Sequence, residues 1–428
     1  MIIAITLAIL LTLLVLSVPV SAALIVLGLS IGEIFSGFPL YRVLGEITWS
    51  ASTDFLLLSI PLFVMLGEIL LRAGIAKRTY NALNKWLSWL PGGLLQANIG
   101  TSALFAATSG SSVATAATIT TVALPQGRRY NYSEKLFAGS IAAGGTLGIL
   151  IPPSINLIVY GFLTNTSIPR LFLAGIVPGV LLAILFMLCI AVACLIKPEL
   201  SGDKQNTSWK ERLESLKDLI PVLLIFLVVI GSIYAGLATP TESAALGVLA
   251  SLGLAFYYRT VSVSFFKQVF EGTMRTSSMI MLILISANFL NFILDSIGLA
   301  EMLSDFVINL GTSPIYTLMV VIGLYVVLGF FIETLSLMVI TVPIVAPILV
   351  NLGYDPIWFG ILLILLIEMA LITPPVGLNL YVVQGVRRSG SISDVMIGAA
   401  PFVFMIGVMI VLMIIFPEIS LYCTQFVN

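Results

Sequence analysis

The chain contains no histidine, and only three of its 428 residues are cysteine: Cys189, Cys194 and Cys423. The cysteines stand in apolar or terminal settings, so the sequence has no zinc-binding pattern and no Cys/His catalytic pair. Charged residues make up only 9%, with a formal net charge of −1. These absences argue against a metal-dependent or Cys/His enzyme. We expect neither enzymatic activity nor a nucleic-acid partner.

Apolar residues dominate instead, at 59% of the sequence with a mean hydropathy of +1.15. Such values are typical of a chain that crosses the lipid bilayer many times. We therefore predict an all-α polytopic membrane protein. Residues 1–17 resemble a signal peptide but lack its basic n-region, so we expect them to be retained as a helix.

One long apolar segment is predicted to be an interrupted helix. Residues 144–156 read GGTLGILIPPSIN, in which Pro152 and Pro153 remove two backbone donors and three glycines loosen the preceding turn. In hydrocarbon each freed carbonyl costs several kcal/mol, so such a break persists only where it is buried in protein or lines a cavity. The break is a candidate binding site.

The same device recurs at residues 371–379, LITPPVGLN, which places Pro374 222 positions after Pro152. Other matches at or near this offset pair residues 21–24 with 243–246, Pro125 with Pro347, and Gly74 with Gly298. The matches indicate two internal repeats, 1–217 and 218–428. Paired Gly/Pro-interrupted segments in two halves are typical of the binding site of a secondary transporter.

Each repeat is predicted to contain five crossings and one re-entrant hairpin. The first hairpin spans 91–125 with a Ser/Thr-rich tip at 108–112, and the second spans 314–349 with a tip at 331–336. The interrupted helices follow at 136–162 and 357–386. Amphipathic segments at 75–89 and 299–309 are expected to lie along the membrane interface.

An odd number of crossings per repeat requires the second repeat to be inverted relative to the first. If the N-terminus is outside, the positive-inside rule is satisfied by 17 of the 19 Lys and Arg residues, leaving Arg42 and Arg170 outside. In this topology the first hairpin enters from the cytoplasm and the second from the opposite face. Both tips then meet near the bilayer centre.

These residues resemble one family across essentially the whole chain: the large membrane subunit of tripartite ATP-independent periplasmic (TRAP) transporters, in the ion-transporter superfamily. The resemblance is carried by the Ser/Thr-rich hairpin at 107–118, the Gly-Thr-Leu-Gly…Ile-Pro-Pro-Ser run and the Thr-Pro-Pro-Val-Gly-Leu-Asn run. It implies a sodium-driven, elevator-type importer in the bacterial inner membrane. The general likeness leans toward the sialic-acid group.

The resemblance also implies partners. They are a small four-helix TRAP membrane subunit on a separate polypeptide and a periplasmic binding protein that delivers an organic acid. The substrate would be a sialic acid such as N-acetylneuraminate, or a C4-dicarboxylate.

Sodium fits the two breaks, because unwound carbonyls and hydroxyls are the oxygen ligands it prefers. We expect one sodium site between the first tip and the first break, with Ser109, Gly110, Ser111, Ser112, Gly145 and Gly148 as candidate ligands. We expect a second between the second tip and the second break, with Gly329, Thr334, Met369 and Thr373 as candidates. The candidate substrate-binding residues are Ser109, Ser112, Ser154, Asn156, Glu333 and Asn379. No Lys, Arg or His lies in a predicted mid-membrane segment, so co-bound cations would have to neutralise a carboxylate substrate.

The same features have a structural interpretation. Small-residue runs such as 103–121 are common at packed helix interfaces, and prolines in membrane helices are often only kinks. An ionisable residue in the membrane is a functional candidate by default, yet Glu333 would also suit a helix cap or contact with solvent. Glu368 has the same ambiguity.

Other functional classes remain open. A self-sufficient sodium-coupled anion carrier would have the same repeats and hairpins but would need no binding protein. A channel or a proton-pumping subunit would more often show a path of buried Lys, His and carboxylates, and this chain lacks His and mid-membrane Lys. A membrane enzyme would need a nucleophile–base or metal set, and none is visible.

Overall fold

A computed structural model describes residues 2–16, 18–36, 40–203, 207–299, 302 and 313–426, and every regular element in these ranges is a helix. The helices of the first half are α1 (Ile2–Val15), α2 (Val20–Phe35), α3 (Leu40–Thr53), α4 (Ser59–Arg72), α5 (Ile75–Leu87), α6 (Leu94–Ser109), α7 (Ser112–Arg129), α8 (Glu134–Thr146), α9 (Ile155–Thr164) and α10 (Ile168–Ile196). Those of the second half are α11 (Trp209–Tyr234), α12 (Pro240–Tyr257), α13 (Val263–Ser296), α14 (Pro314–Gly329), α15 (Thr334–Asn351), α16 (Pro356–Leu371), α17 (Leu378–Arg387), α18 (Ile392–Ile415) and α19 (Glu418–Leu421). Short 3₁₀ turns cover Leu147–Ile149, Pro198–Ser201 and Tyr422–Phe426.

Within these ranges, five helices are long and apolar enough to cross a membrane: α10, α11, α13, α15 and α18. Helices α4 and α5 together would make a sixth span, but they are bent by 68° relative to each other. The prediction of an all-α polytopic membrane protein is confirmed. The ten crossings, the inverted repeats and the elevator mechanism stay predictions.

Local sequence explains where the main second-half helices begin. The Thr239 hydroxyl accepts a hydrogen bond from the Glu242 amide, and the Glu242 carboxylate accepts one from the Thr239 amide, so a capping box opens α12. Ser208 and Glu211 form the same box at the start of α11. Each box satisfies backbone donors that would otherwise have no partner at a helix end.

Helix α13 differs from the sequence-based expectation. Its 34 residues form one continuous helix, whereas the positive-inside count placed the basic residues at 259–275 in a cytoplasmic loop. The loop was wrong because it rested on charge alone, while the cytoplasmic location of these residues stays a prediction. Phe265, Val269, Thr273 and Ser277 are buried at every fourth position, which is the pattern of a helix with one packed face. Helix α3 was not predicted either, and most of the predicted arm at 299–309 lies outside the described residues.

The helices pack in two groups. In the scaffold group, α2 and α4 pack against α13, α4 also packs against α12, and α12 packs against α11. In the hairpin group, α6, α7 and α18 pack around α8, α17 packs against α7, α15 packs against α9, and α10 packs against α18. Helix α5 contacts α11 of the first group and α6 of the second. It therefore connects them.

Candidate functional site

The first hairpin turns at Gly110, between α6 and α7. Gly110 has a φ of +59°, in the left-handed region that glycine reaches without a steric cost. Ser111 then caps α7, its hydroxyl accepting from the Ala114 amide at 3.4 Å. The hydroxyls of Ser109 and Thr115 lie 2.8 Å apart. The tip is thus a two-residue turn between helices with its hydroxyls turned toward α7.

The first break lies directly beside this tip. A Cβ on Gly148 would come within 2.8 Å of the Ser111 carbonyl oxygen, and one on Gly110 within 3.0 Å of the Pro153 carbonyl oxygen. Only glycine permits both approaches. The structure therefore brings most of the first candidate sodium set together, while Gly145 packs against Ala116 on α7.

Ser154 satisfies backbone groups on both sides of the first break. Its hydroxyl donates to the Ile149 carbonyl at 2.5 Å and accepts from the Leu157 amide at 3.4 Å, so it satisfies backbone on both sides of Pro152 and Pro153. The side chain is fully buried and does not line the central cavity described below. The geometry shows a cap for α9.

Glu333 is the N-cap of α15 on the second hairpin, the position that Ser111 has on the first hairpin. Its carboxylate accepts from the Ser336 amide and hydroxyl, both at 3.0 Å, and from the Thr334 hydroxyl at 2.9 Å. The side chain is nevertheless exposed on the cavity. The cap that the sequence left open as an alternative is present, and it fixes the carboxylate at the tip.

The second candidate sodium set is only partly brought together. Gly329 and Thr334 share a cavity of about 160 Å³ between the second tip and the second break. The Thr373 hydroxyl donates to the Met369 carbonyl at 2.5 Å, but neither residue lines that cavity. The second candidate set therefore forms two separate pairs, Gly329 with Thr334 and Met369 with Thr373.

Asn379 and Ser112 connect the two halves of the chain. The Asn379 amide donates to the Ser112 hydroxyl at 2.8 Å and to the Ala142 carbonyl at 3.1 Å. The Ser112 hydroxyl and the Asn379 carbonyl oxygen are 3.1 Å apart. Both side chains are buried. The second break is therefore hydrogen-bonded to the first tip.

A central cavity of about 600 Å³ lies between the two tips, the two breaks and the scaffold group. Asn156 lines it, and the amide nitrogen of Asn156 is buried without a hydrogen-bond partner. Of the candidate residues, Gly110, Ser111, Ser112, Asn156, Glu333 and Thr334 line this cavity. Glu333 is the one charged residue among the described residues that line it.

The cavity also has polar lining residues that sequence reasoning missed: Ser21, Thr276 and Ser336. Ser21 belongs to the 21–24 segment that revealed the repeat, but nothing local marks it as cavity-facing. Ser109 lies elsewhere, in a cavity of about 50 Å³ that it shares with Gly67 and Glu68 of α4. The scaffold thus reaches the first tip.

Glu368 on α16 is fully buried, and neither carboxylate oxygen has a hydrogen-bond partner. Ala370, two residues later, contacts Gly329. Residues two apart on a helix point in nearly opposite directions, so Glu368 faces away from the second hairpin. A buried carboxyl without a partner is costly in any protein interior.

Comparisons with known proteins identify the family of this chain. Residues 7–419 match the family described as the tripartite ATP-independent periplasmic transporter, DctM component. The C4-dicarboxylate TRAP transporter large permease protein DctM of Vibrio cholerae is 36% identical over 84% of this chain and 83% of its own. The sialic acid TRAP transporter large permease protein SiaM of the same species is 33% identical over 86% of each chain.

Solved structures show the same fold at low identity. The YdaH transporter of Alcanivorax borkumensis superposes with a TM-score of 0.61 at 15% identity, covering 97% of this chain and 98% of its own. The sequence matches carry the family assignment. The chain belongs to the DctM family, the large permease component of TRAP transporters.

Proposed function

We propose that this chain is the large subunit of a sodium-driven TRAP transporter that imports an organic acid across the bacterial inner membrane. A periplasmic binding protein delivers the acid, and a small membrane subunit completes the complex. The observation that carries the proposal is the central cavity: Asn156 lines it and has an amide nitrogen without a partner, and no described lining residue is Lys or Arg. A carboxylate bound there needs cations that bind with it.

The two tips are where those cations would bind. At the first tip, the Ser111 carbonyl lies against Gly148 of the break, while the hydroxyls of Ser109 and Ser112 lie within hydrogen-bond distance of Thr115 and Asn379. At the second, the Glu333 carboxylate and Thr334 hydroxyl stand near Gly329. Oxygen ligands of this kind suit a hard monovalent cation. In the described residues no cluster of three His, Cys, Asp or Glu side chains exists to hold a transition metal.

The two helix groups support an elevator mechanism. The hairpin group carries the cavity's tips and breaks, and the scaffold group supplies Ser21 and Thr276 from α2 and α13. With the N-terminus outside, α2 begins at the cytoplasmic side and Thr276 follows the basic part of α13. The cavity would then lie beside the cytoplasmic ends of the scaffold, which supports an inward-facing conformation.

The substrate class follows from the cavity and the relatives. A volume of about 600 Å³ is in the range of small-molecule sites and holds either a dicarboxylate or a larger sugar acid. The relatives named for C4-dicarboxylate and for sialic acid are similarly identical to this chain, at 36% and 33%. We therefore propose a carboxylate-bearing substrate, without restricting it to sialic acid.

The test is uptake into proteoliposomes containing this chain and the small subunit, with the binding protein added or omitted. We expect uptake to require the binding protein and a sodium gradient, and to survive a proton ionophore when the membrane potential is clamped. Uptake without the binding protein would favour the self-sufficient carrier. Loss of uptake with the ionophore would point to proton coupling instead.

A matched pair of variants links uptake to the cavity. Asn156→Ala removes the free amide donor, and we expect uptake to fall by about tenfold or more, the scale of one lost hydrogen bond to a charged group. Thr164→Ala on the same helix removes a hydroxyl bonded to the Tyr160 carbonyl, away from the cavity. It should transport normally.

A further inference from the structure

A polar pocket of about 500 Å³ lies where α5 and α10 end and α11 begins. It shares no lining residue with the central cavity. The hydroxyls of Ser88 and Thr207 line it and lie 3.2 Å apart, and Arg212 of α11 lines it as well. Arg212 is the one charged residue among the described lining residues.

The Arg212 guanidinium has an N–H donor that no described residue uses. It forms no ion pair with any described residue, and its Nε atom is buried without an acceptor. Its guanidinium lies over the Trp209 ring, 5.0 Å from the ring centroid. Stacking on an aromatic ring holds the guanidinium plane in place, which leaves its edge free to bind an anion with several oxygen atoms.

The pocket lies at the boundary between membrane and water. Helices α10 and α11, both long and apolar enough to span, end and begin here. Trp89 and Trp209 beside it are 68% and 70% exposed, as expected for residues in the aromatic belt at headgroup depth. Lys85, Lys197 and Lys210 stand on the same segments, but Glu199, Asp203 and Glu211 offset their charge, so the binding of an anion here depends on Arg212.

We propose that this pocket binds the phosphate group of an anionic phospholipid, with Arg212 as its principal donor and the hydroxyls of Ser88 and Thr207 as further partners. A soluble phosphate has the same chemistry, so the experiment separates the two sources. The pocket is bordered by α5 and α11 on one side and by the start of α6 and the end of α10 on the other. A bound headgroup therefore touches both helix groups.

The test uses the full chain in phosphatidylcholine nanodiscs with rising fractions of brominated phosphatidylglycerol, which quenches nearby tryptophan fluorescence. Brominated phosphatidylcholine gives the background quenching of all five tryptophans, and the extra quenching by phosphatidylglycerol is expected from Trp89 and Trp209. We expect Arg212→Gln to need about five times more phosphatidylglycerol for half-maximal extra quenching, the loss expected for one basic contact at a membrane surface. Lys210→Gln removes the same charge outside the pocket and should behave like the wild type.

A second arm adds inorganic phosphate to discs that contain only neutral lipid and measures the melting temperature. Phosphate that stabilises the wild type and not Arg212→Gln would also support the phosphate site, and it would name a soluble ligand as its source. Arg212→Lys, which keeps the charge without the planar fork, should lie between the two. If Arg212→Gln and the wild type show the same phosphatidylglycerol dependence and neither responds to phosphate, the proposal is wrong.

Discussion

Asn379 and Ser112 exchange hydrogen bonds of 2.8 and 3.1 Å, although 267 residues separate them. Asn379 opens the second half of one interrupted helix and Ser112 opens the second arm of the opposite hairpin. Asn156 stands at the corresponding place in the first half of the chain. It lines the central cavity, and its amide nitrogen is buried without a partner. One asparagine joins the two halves of the chain, and the other has an unused donor beside the cavity.

The first prediction concerns that connection. Ser112→Ala and Asn379→Ala should each destabilise the protein by about 1–3 kcal/mol, because each leaves a buried polar partner unsatisfied. The double variant should cost less than the sum of the two, since the same bonds are lost. Thr121→Ala, on the exposed side of α7, is the control. Additive losses in the melting temperature would contradict a direct pair.

The second prediction concerns the contact between the first tip and the first break. Gly148→Ala places a methyl group 2.8 Å from the Ser111 carbonyl, so the tip must shift. We expect a higher sodium concentration for half-maximal uptake, with the protein still folded. Gly323→Ala on α14 meets no atom within 4 Å and should transport normally. An unchanged sodium dependence in Gly148→Ala would remove Ser111 and Gly148 from the sodium site.

The sequence predicted the helical membrane class and the positions of the two helix breaks, because those signals are local. Hydropathy marks the apolar helices, and Pro–Pro pairs interrupt helices wherever they stand. Glu333 shows the limit of local reasoning. Its type and place left a ligand and a helix cap open as alternatives, and the structure shows an N-cap whose carboxylate still reaches the cavity.

Long-range relationships could not be predicted in this way. Nothing near Asn379 in the sequence indicates that Ser112 is its partner, because that contact depends on how the two halves of the chain pack. The continuity of α13 was missed for a related reason. Lys267 and Arg275 suggested a loop, but the buried face that stabilises the helix is completed by α2, α3 and α4, which come from the first half of the chain.

The third prediction concerns Glu368, which is buried without a partner. Glu368→Met removes an unpaired carboxyl at similar volume, so the melting temperature should rise by a few degrees. We expect uptake to fall, because an unpaired carboxyl inside a membrane protein is a cost usually kept for function. Leu365→Met on the same helix is the control. A stabilised variant with full uptake would show that the carboxyl has no part in transport.

The fourth prediction concerns the pH dependence of stability. The hydrogen bond from Arg387 holds the pKa of Glu134 below its ordinary value of 4.5, and this ion pair joins α8 to α17 across the two halves of the chain. A lowered pKa in the folded state adds stability above the unfolded pKa and loses it as the pH falls through the folded one. The melting temperature should therefore drop below about pH 4.5.

The comparison for this prediction is Glu134→Gln, which should start lower at neutral pH and fall less in acid. Glu271→Gln removes one partner of an exposed pair, 3.8 Å from Lys267, and should keep the wild-type slope, since exposed pairs contribute little. Parallel curves for Glu134→Gln and the wild type would show that Glu134 does not set the acid limit.

The last prediction concerns motion between the two helix groups. Leu71 of α4 and Ala114 of α7 line the same cavity of about 50 Å³, where the first tip meets the scaffold. If the hairpin group slides as a rigid body, a short reducible crosslinker between cysteines at these two positions should trap the inward-facing state. The binding site then cannot alternate between the two faces of the membrane. Uptake should stop on crosslinking and return on reduction. Cysteines at Val229 and Gly247, which touch within the scaffold group, should crosslink without effect on uptake. Normal uptake by the crosslinked Leu71–Ala114 pair would rule out sliding at this contact and favour a local opening of the two tips.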